Sequence, residues 1–213
     1  MKTILFQGDS ITDTNRVRER EENIGAGYAL LVSAELGYLY PNQYKFVNKG
    51  ISGNQIVDLY ARMKTDILNI KPDYMSILIG VNDVWHGFTN DNAVDAEKFH
   101  KVYSMLIEEV IEELPDTKIM LLEPYVLEDY VTSVDGIWET FKEEVALRAK
   151  KAREIADKYN LVFVPLQEEF DKASKEHGVR YFTYDGVHPT PFGHELIKRQ
   201  WLKGFNKLIE GEK

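Results

Sequence analysis

The chain has 213 residues, 44% of them hydrophobic and 29% charged, which suits one soluble domain able to bury a full core. Its formal net charge of −9, with no separate Lys/Arg cluster, argues against a nucleic-acid backbone or an anionic membrane surface as partner. The absence of cysteine excludes disulfides, thiolate nucleophiles and Cys-ligated zinc, and fits a reducing, cytoplasmic setting.

Taken in order, the first apolar run, Thr3–Phe6, predicts a strand. Its apolar stretch, Ile4 to Phe6, is too short for an export segment, and nowhere does the chain approach the ~20 apolar residues that span a bilayer. Gly8-Asp9-Ser10 follows this strand directly. A second strand is predicted at Tyr44–Val47, followed by Asn48-Lys49-Gly50-Ile51-Ser52-Gly53-Asn54, and a third at Tyr74–Ile79, followed by Gly80-Val81-Asn82-Asp83. Phe99, Val102, Leu106, Val110 and Leu114 recur at helical spacing and stop before Pro115. A fourth strand at Lys118–Leu122 leads into Glu123-Pro124-Tyr125. Trp138, Phe141, Val145, Ala149, Ala152, Ala156 and Tyr159 mark a long helix, and Leu161–Val164 a fifth strand. Beyond it come Asp185-Gly186-Val187-His188-Pro189 and a last helix. That helix opens with Thr190 as N-cap and Pro191 at its first position, and turns Leu196, Ile197, Trp201 and Leu208 to the core. Apolar strands alternating with helices predict an α/β domain with a parallel sheet covered on both faces. There is no repeat, low-complexity tract or linker, so a single domain over residues 1–213 is expected.

Ligands of such a sheet bind beyond the carboxyl ends of its strands. Ser10, Gly53, Asn82 and Tyr125 each follow a strand, and Asp185 with His188 lies in the loop before the final helix, so these positions converge on one rim. A serine hydroxyl is a poor nucleophile unless an imidazole takes its proton, and the imidazole needs a carboxylate to hold its tautomer. Ser10, His188 and Asp185 supply those three groups. Gly53 and Asn82 could aim N–H donors at a developing oxyanion. Singly, these residues have plainer readings. Gly-Asp-Ser is a turn, His188 a core or cap histidine, and Asn82 or Asp83 a cap of the helix after the third strand. Asp9 has two readings, bonding backbone within the serine loop or touching substrate. Asn48 and Asn54 read as loop-stabilising. Among the aromatics near the rim, Trp138 begins a core stripe, whereas Trp85, Tyr125 and Tyr184 are candidates to line an acyl or sugar pocket. His86, His100, His177 and His194 show no metal-ligand spacing, and His194 reads as a satisfied polar residue of the last helix. No glycine-rich phosphate loop and no Gly-x-Ser-x-Gly elbow is present.

The four segments Gly8-Asp9-Ser10-Ile11-Thr12, Gly50-Ile51-Ser52-Gly53-Asn54, Gly80-Val81-Asn82-Asp83 and Asp185-Gly186-Val187-His188-Pro189 resemble, in order and across the whole chain, the four sequence blocks of the GDSL/SGNH hydrolases. The resemblance implies a flavodoxin-like three-layer α/β/α fold with a five-stranded parallel sheet, and hydrolysis of esters. It implies Ser10 as nucleophile, His188 as base and Asp185 as its orienter, with an oxyanion hole from the Ser10 and Gly53 backbone N–H groups and the Asn82 amide. No cofactor and no metal are required. Within the family, Asn-Lys-Gly-Ile-Ser-Gly-Asn and Gly-Val-Asn-Asp-Val-Trp are most similar to compact esterases that deacetylate xylo-oligosaccharides. The acidic segment Val126–Gly136 would repel anionic head groups and no amphipathic lid is evident, so the expected substrate is a small neutral acylated molecule. An acyl thioesterase, arylesterase or lysophospholipase is the rival within the family, and a non-catalytic glycan-binding module the rival outside it. Oligomeric state is open between a monomer and a homo-oligomer.

Overall fold

Five short strands run in the same direction: β1 Lys2–Gly8, β2 Tyr44–Asn48, β3 Tyr74–Leu78, β4 Lys118–Leu122 and β5 Val162–Val164. They form one all-parallel sheet in the order β2-β1-β3-β4-β5 in a computed structural model that describes residues 1–210. Residues 211–213 of the expected domain lie outside the described residues. The strands match the sequence expectation to within a residue or two at each end, with Ile79 and Leu161 falling just outside β3 and β5.

Nine α-helices connect or follow them among the described residues: α1 Ser10–Asp13, α2 Tyr28–Leu39, α3 Ile56–Ala61, α4 Val81–Asn90, α5 Ala96–Glu113, α6 Trp138–Lys158, α7 Gln167–His177, α8 Val179–Phe182 and α9 Pro191–Glu210. The side chains of each strand alternate between two cores, as a period of two requires. Ile4 and Phe6 of β1, Tyr74 and Leu78 of β3, and Met120 and Leu122 of β4 meet Val32 of α2 and Ile197, Trp201 and Phe205 of α9. Leu5, Met75, Ile77, Ile119 and Leu121 point the other way, onto Ile56 and Leu59 of α3, Phe99, Leu106 and Val110 of α5, and Ala152, Ile155 and Ala156 of α6. Helices therefore cover both faces, which is why the strands read as near-continuous apolar runs.

α2 shows no apolar stripe in the sequence because Tyr28–Leu39 is apolar almost all round, leaving Leu30 and Leu39 exposed while Tyr28, Ala29, Val32 and Leu36 are buried. The stripe-defined helices are present, and their last apolar markers, Leu114 and Tyr159, are the C-caps of α5 and α6. Thr190 caps α9 as expected, its Oγ1 accepting the Gly193 N–H at 3.4 Å. No helix among the described residues is long and apolar enough to cross a membrane.

The strand order fixes where a ligand would bind. From β1 the chain crosses to β2 on one side, then returns past β1 to β3 on the other, so the connections leaving β1 and β3 diverge. The crevice between them, at the strand carboxyl ends, is a topological switch point.

Candidate active site

Ser10 is the first residue of α1, and α1 begins one residue after β1 ends. The turn is held by Asp9, whose Oδ1 accepts the Ile11 N–H at 2.9 Å. The Asp9 carboxyl is buried and burial pushes its pKa up to about 7. It serves the backbone, so the substrate-contact reading of Asp9 is corrected: a side chain sealed beneath the serine loop cannot reach a ligand.

The loop Thr183–Pro189 brings the partner groups. An antiparallel bridge pairs Thr183 with Pro189, and the Tyr184 N–H donates to the His188 carbonyl at 2.9 Å, which closes the loop on itself. At Gly186, φ is +89°, and a Cβ there would lie 2.3 Å from the Leu127 carbonyl oxygen, so only glycine fits. Tyr125 holds the loop from below, donating from its hydroxyl to the Val187 carbonyl at 2.9 Å. Its ring is fully buried and stacks on Phe170 with centroids 4.0 Å apart. Tyr125 is thus a strut under the loop. Its expected place in a substrate pocket is corrected, because position after a strand gives no measure of depth.

These contacts align three side chains. His188 Nε2 lies 2.9 Å from Ser10 Oγ, and His188 Nδ1 lies 2.7 Å from Asp185 Oδ2. The other carboxylate oxygen, Oδ1, accepts the Val187 and His188 backbone N–H groups at 3.0 and 2.8 Å. A carboxylate anchored this way accepts the Nδ1 proton, leaving Nε2 free to accept from the Ser10 hydroxyl. Burial raises the Asp185 carboxyl, but its hydrogen bonds with His188 and the Val187 N–H outweigh that and hold it below the usual aspartate range. The hydrogen bond to Asp185 raises the His188 imidazole above the usual histidine value, against the opposing effect of burial.

Three donors lie on the segments that follow β1, β2 and β3. Gly53 has φ +83°, a left-handed turn residue with open space where a Cβ would project. The N–H groups of Ser10 and Gly53 donate to no acceptor among the described residues. Asn82, in the first turn of α4, gives one amide proton to the Asn54 carbonyl at 3.1 Å and keeps its second. Asp83 is corrected in detail: it caps α3, accepting the Ile56 N–H at 3.1 Å, rather than the helix it sits in.

Two contributors were not legible in the sequence. Arg62 reaches Asn54 Oδ1 (2.8 Å) and the carbonyls of Lys49 (2.8 Å) and Gly8 (3.3 Å), tying the loop after β2 to the end of β1. His194 lines the same cavity as Ser10 and His188, with Asn15, Ser52 and Tyr184 around it. The cavity measures about 340 Å³. Tyr184 is largely exposed at its mouth, and the Trp85 ring stands 5.8 Å from the His188 ring, so both expected aromatics are near the reacting groups. A groove of about 910 Å³ between α2, α7, α8 and α9 is lined by none of these residues. No three His, Asp or Glu side chains cluster to hold a metal ion among the described residues.

The chain from Asp185 through His188 to Ser10 is one through which a serine hydroxyl can give up its proton. Comparison with known proteins points the same way. A sequence model of the GDSL-like lipase/acylhydrolase family matches residues 6–196. An acetylxylan esterase from Geobacillus stearothermophilus is 34% identical over 210 residues, spanning 94% of this chain and 92% of that protein. A crystal structure of an acetylxylan esterase from the same organism superposes with a TM-score of 0.84 at 32% identity, covering 95% of this chain and 93% of the other. A structure from Parabacteroides merdae described as a GDSL-like lipase reaches 0.89 at 38% identity, covering 95% and 94%.

Proposed function

Because this chain belongs to the GDSL-like lipase/acylhydrolase family and is a carboxylic ester hydrolase, we propose that Ser10, His188 and Asp185 carry out a two-step acyl transfer on small acetyl esters of carbohydrates. The observation that carries the reading is the unbroken chain from Ser10 Oγ through His188 to Asp185, with contacts of 2.9 and 2.7 Å. Ser10 attacks the ester carbonyl as His188 Nε2 takes its proton. The oxyanion forms among the Ser10 and Gly53 N–H groups and the free amide proton of Asn82. His188 then protonates the leaving alcohol, and the same imidazole activates the water that clears the acyl-enzyme. Donors fixed before the reaction cost no reorganisation as charge develops, and each is worth on the order of 10²–10³ in kcat.

Three observations favour an acetylated saccharide. The cavity beside Ser10 is small and bordered mostly by polar residues, Tyr184 and Trp85 offer ring faces near it, and the relatives named above include acetylxylan esterases. The net charge of −9 supports a neutral small-molecule partner over a nucleic acid or an anionic membrane, and the cysteine-free sequence supports a cytoplasmic setting.

The test is a series of p-nitrophenyl esters from acetyl to dodecanoyl, run beside acetylated xylo-oligosaccharides. Each additional buried methylene would contribute ~0.8 kcal/mol if a deep acyl pocket could admit it. The expected result is kcat/KM falling beyond butyryl, with acetate released from the oligosaccharides. A maximum at octanoyl or longer, with no acetate from any sugar, would favour a thioesterase or lysophospholipase instead.

A further inference from the structure

One buried histidine borders the reacting groups without joining them. His194, in the first turn of α9, is 4% exposed, and its Nδ1 accepts the Tyr28 backbone N–H at 3.1 Å. Tyr28 opens α2, whose N-cap is Gly27 and therefore offers no side chain to that N–H. An imidazole that accepts at Nδ1 carries its proton at Nε2, so the terminus of α2 fixes the tautomer. The backbone fixes the ring position too: a Cβ on Gly27 would lie 2.7 Å from Cε1 and 3.0 Å from Nδ1. Burial, aided by the charge of nearby His188, lowers this imidazole to about 4, so it is neutral at neutral pH.

Nε2 has no partner among the described residues, yet it is not one of the polar atoms sealed from solvent. His194 lines the cavity shared with Ser10, His188 and Tyr184. Gly53 and Asn82 do not line that cavity, whereas His188, which must protonate the leaving oxygen, does. The cavity is thus on the alcohol side of the scissile bond. We propose that His194 is a substrate-binding residue whose Nε2–H donates to an oxygen of the leaving alcohol, selecting hydroxylated alcohols. This rests on the acyl-transfer reading above and adds to it the group that recognises the alcohol.

The test compares glycerol monoacetate with propyl acetate, which has the same carbon chain without the hydroxyls. His194→Asn puts an amide oxygen where Nδ1 stood, so Tyr28 keeps an acceptor while the cavity loses its donor. Wild-type enzyme should favour glycerol monoacetate about tenfold in kcat/KM, the effect of one such hydrogen bond, and His194→Asn should bring the ratio close to one. A change in packing alone would lower both rates and leave their ratio intact. His194→Gln, whose amide nitrogen reaches towards the Nε2 position, should keep a higher ratio than His194→Ala, which covers the case in which the Asn variant fails to fold. Equal wild-type rates, a preference unchanged in His194→Asn, or Ala equal to or above Gln would each overturn the assignment. If the ratio collapses as expected while xylo-oligosaccharides release no acetate, the donor role stands and only the sugar assignment falls.

Discussion

Asp185 commits both oxygens, Oδ1 to two backbone N–H groups and Oδ2 to His188 Nδ1, so one side chain sets both the geometry and the basicity of the imidazole. Only neutral His188 can accept the serine proton, and its pKa is raised above the ordinary 6.5. The rate must therefore rise with pH along an acid limb of kcat/KM centred above 6.5. Asp185→Asn removes the partner that raises it, so the limb should move to lower pH while kcat falls by as much as ~10⁴, the loss known for the equivalent change in a serine protease. A pH profile of the two proteins checks both shifts at once. With Asn82 in the proposed oxyanion hole, Asn82→Ala should lower kcat by roughly 10²–10³ with little change in KM, since its free amide proton would serve charge that appears only in the transition state. A raised KM at constant kcat would make Asn82 a ground-state binder. At this scale sequence reading placed Ser10, Asp185 and His188 on one rim, and the structure brings them into contact, Ser10 from just after β1 and the other two from the loop between α8 and α9. It misplaced Tyr125, whose depth is set by Phe170 and Val187 more than forty residues away.

The loop between β2 and α3 carries Gly53, and its shape is imposed by side chains from three directions. Asn48 donates to the Thr12 carbonyl (2.6 Å) and the Ile24 carbonyl (2.8 Å) and accepts the Gly50 N–H (2.8 Å). Asp13 accepts the Ser52 N–H at 3.0 Å, and Arg62 binds Asn54 and Lys49. Asn48→Ala would leave buried backbone groups unpaired and should cost about 3 kcal/mol or more, read as a shift in the urea midpoint. Activity should fall further than stability alone explains, because the Gly53 N–H loses its aim. Asn48 was legible as a loop stabiliser, since a polar residue after a buried strand must satisfy backbone. Arg62 was not, because an arginine within α3's C-cap looks like any solvated helix-end cation until the loop folds over it. The segment between α1 and α2 was equally silent: its contacts, such as Arg16 Nε donating to the Gly50 carbonyl at 2.9 Å, join residues 34 positions apart.

Across the whole molecule, the strand order β2-β1-β3-β4-β5 puts the divergence of the chain between β1 and β3, and the two loops that leave those strands carry Ser10 and Asn82. Short, near-continuous apolar runs alternating with helical stretches were readable in the sequence, which is why a parallel sheet covered on both faces was expected. The order of its strands was not readable, since periodicity carries no information about neighbours. Charge acts at the same scale. With a net charge of −9, the protein should disfavour anionic esters at low ionic strength. Raising salt from about 10 mM to about 150 mM, where the screening length shortens to ~8 Å, should raise kcat/KM for a carboxylate-bearing acetate ester and leave that for a neutral ester within about twofold. Equal responses of the two esters would remove the charge from the account.

Ser10 Oγ is the atom proposed to be acylated by substrate, and covalent labelling reads this out. Phenylmethylsulfonyl fluoride should add once per chain, on the peptide containing Ser10, with turnover lost in proportion to the adduct. Ser10→Ala removes only a hydroxyl whose hydrogen bond is to His188 Nε2, so the variant should fold, take up no label and keep no more than a few per cent of wild-type kcat. A folded Ser10→Ala protein that still turns over ester, or an adduct found on another residue while turnover is lost, would contradict the mechanism.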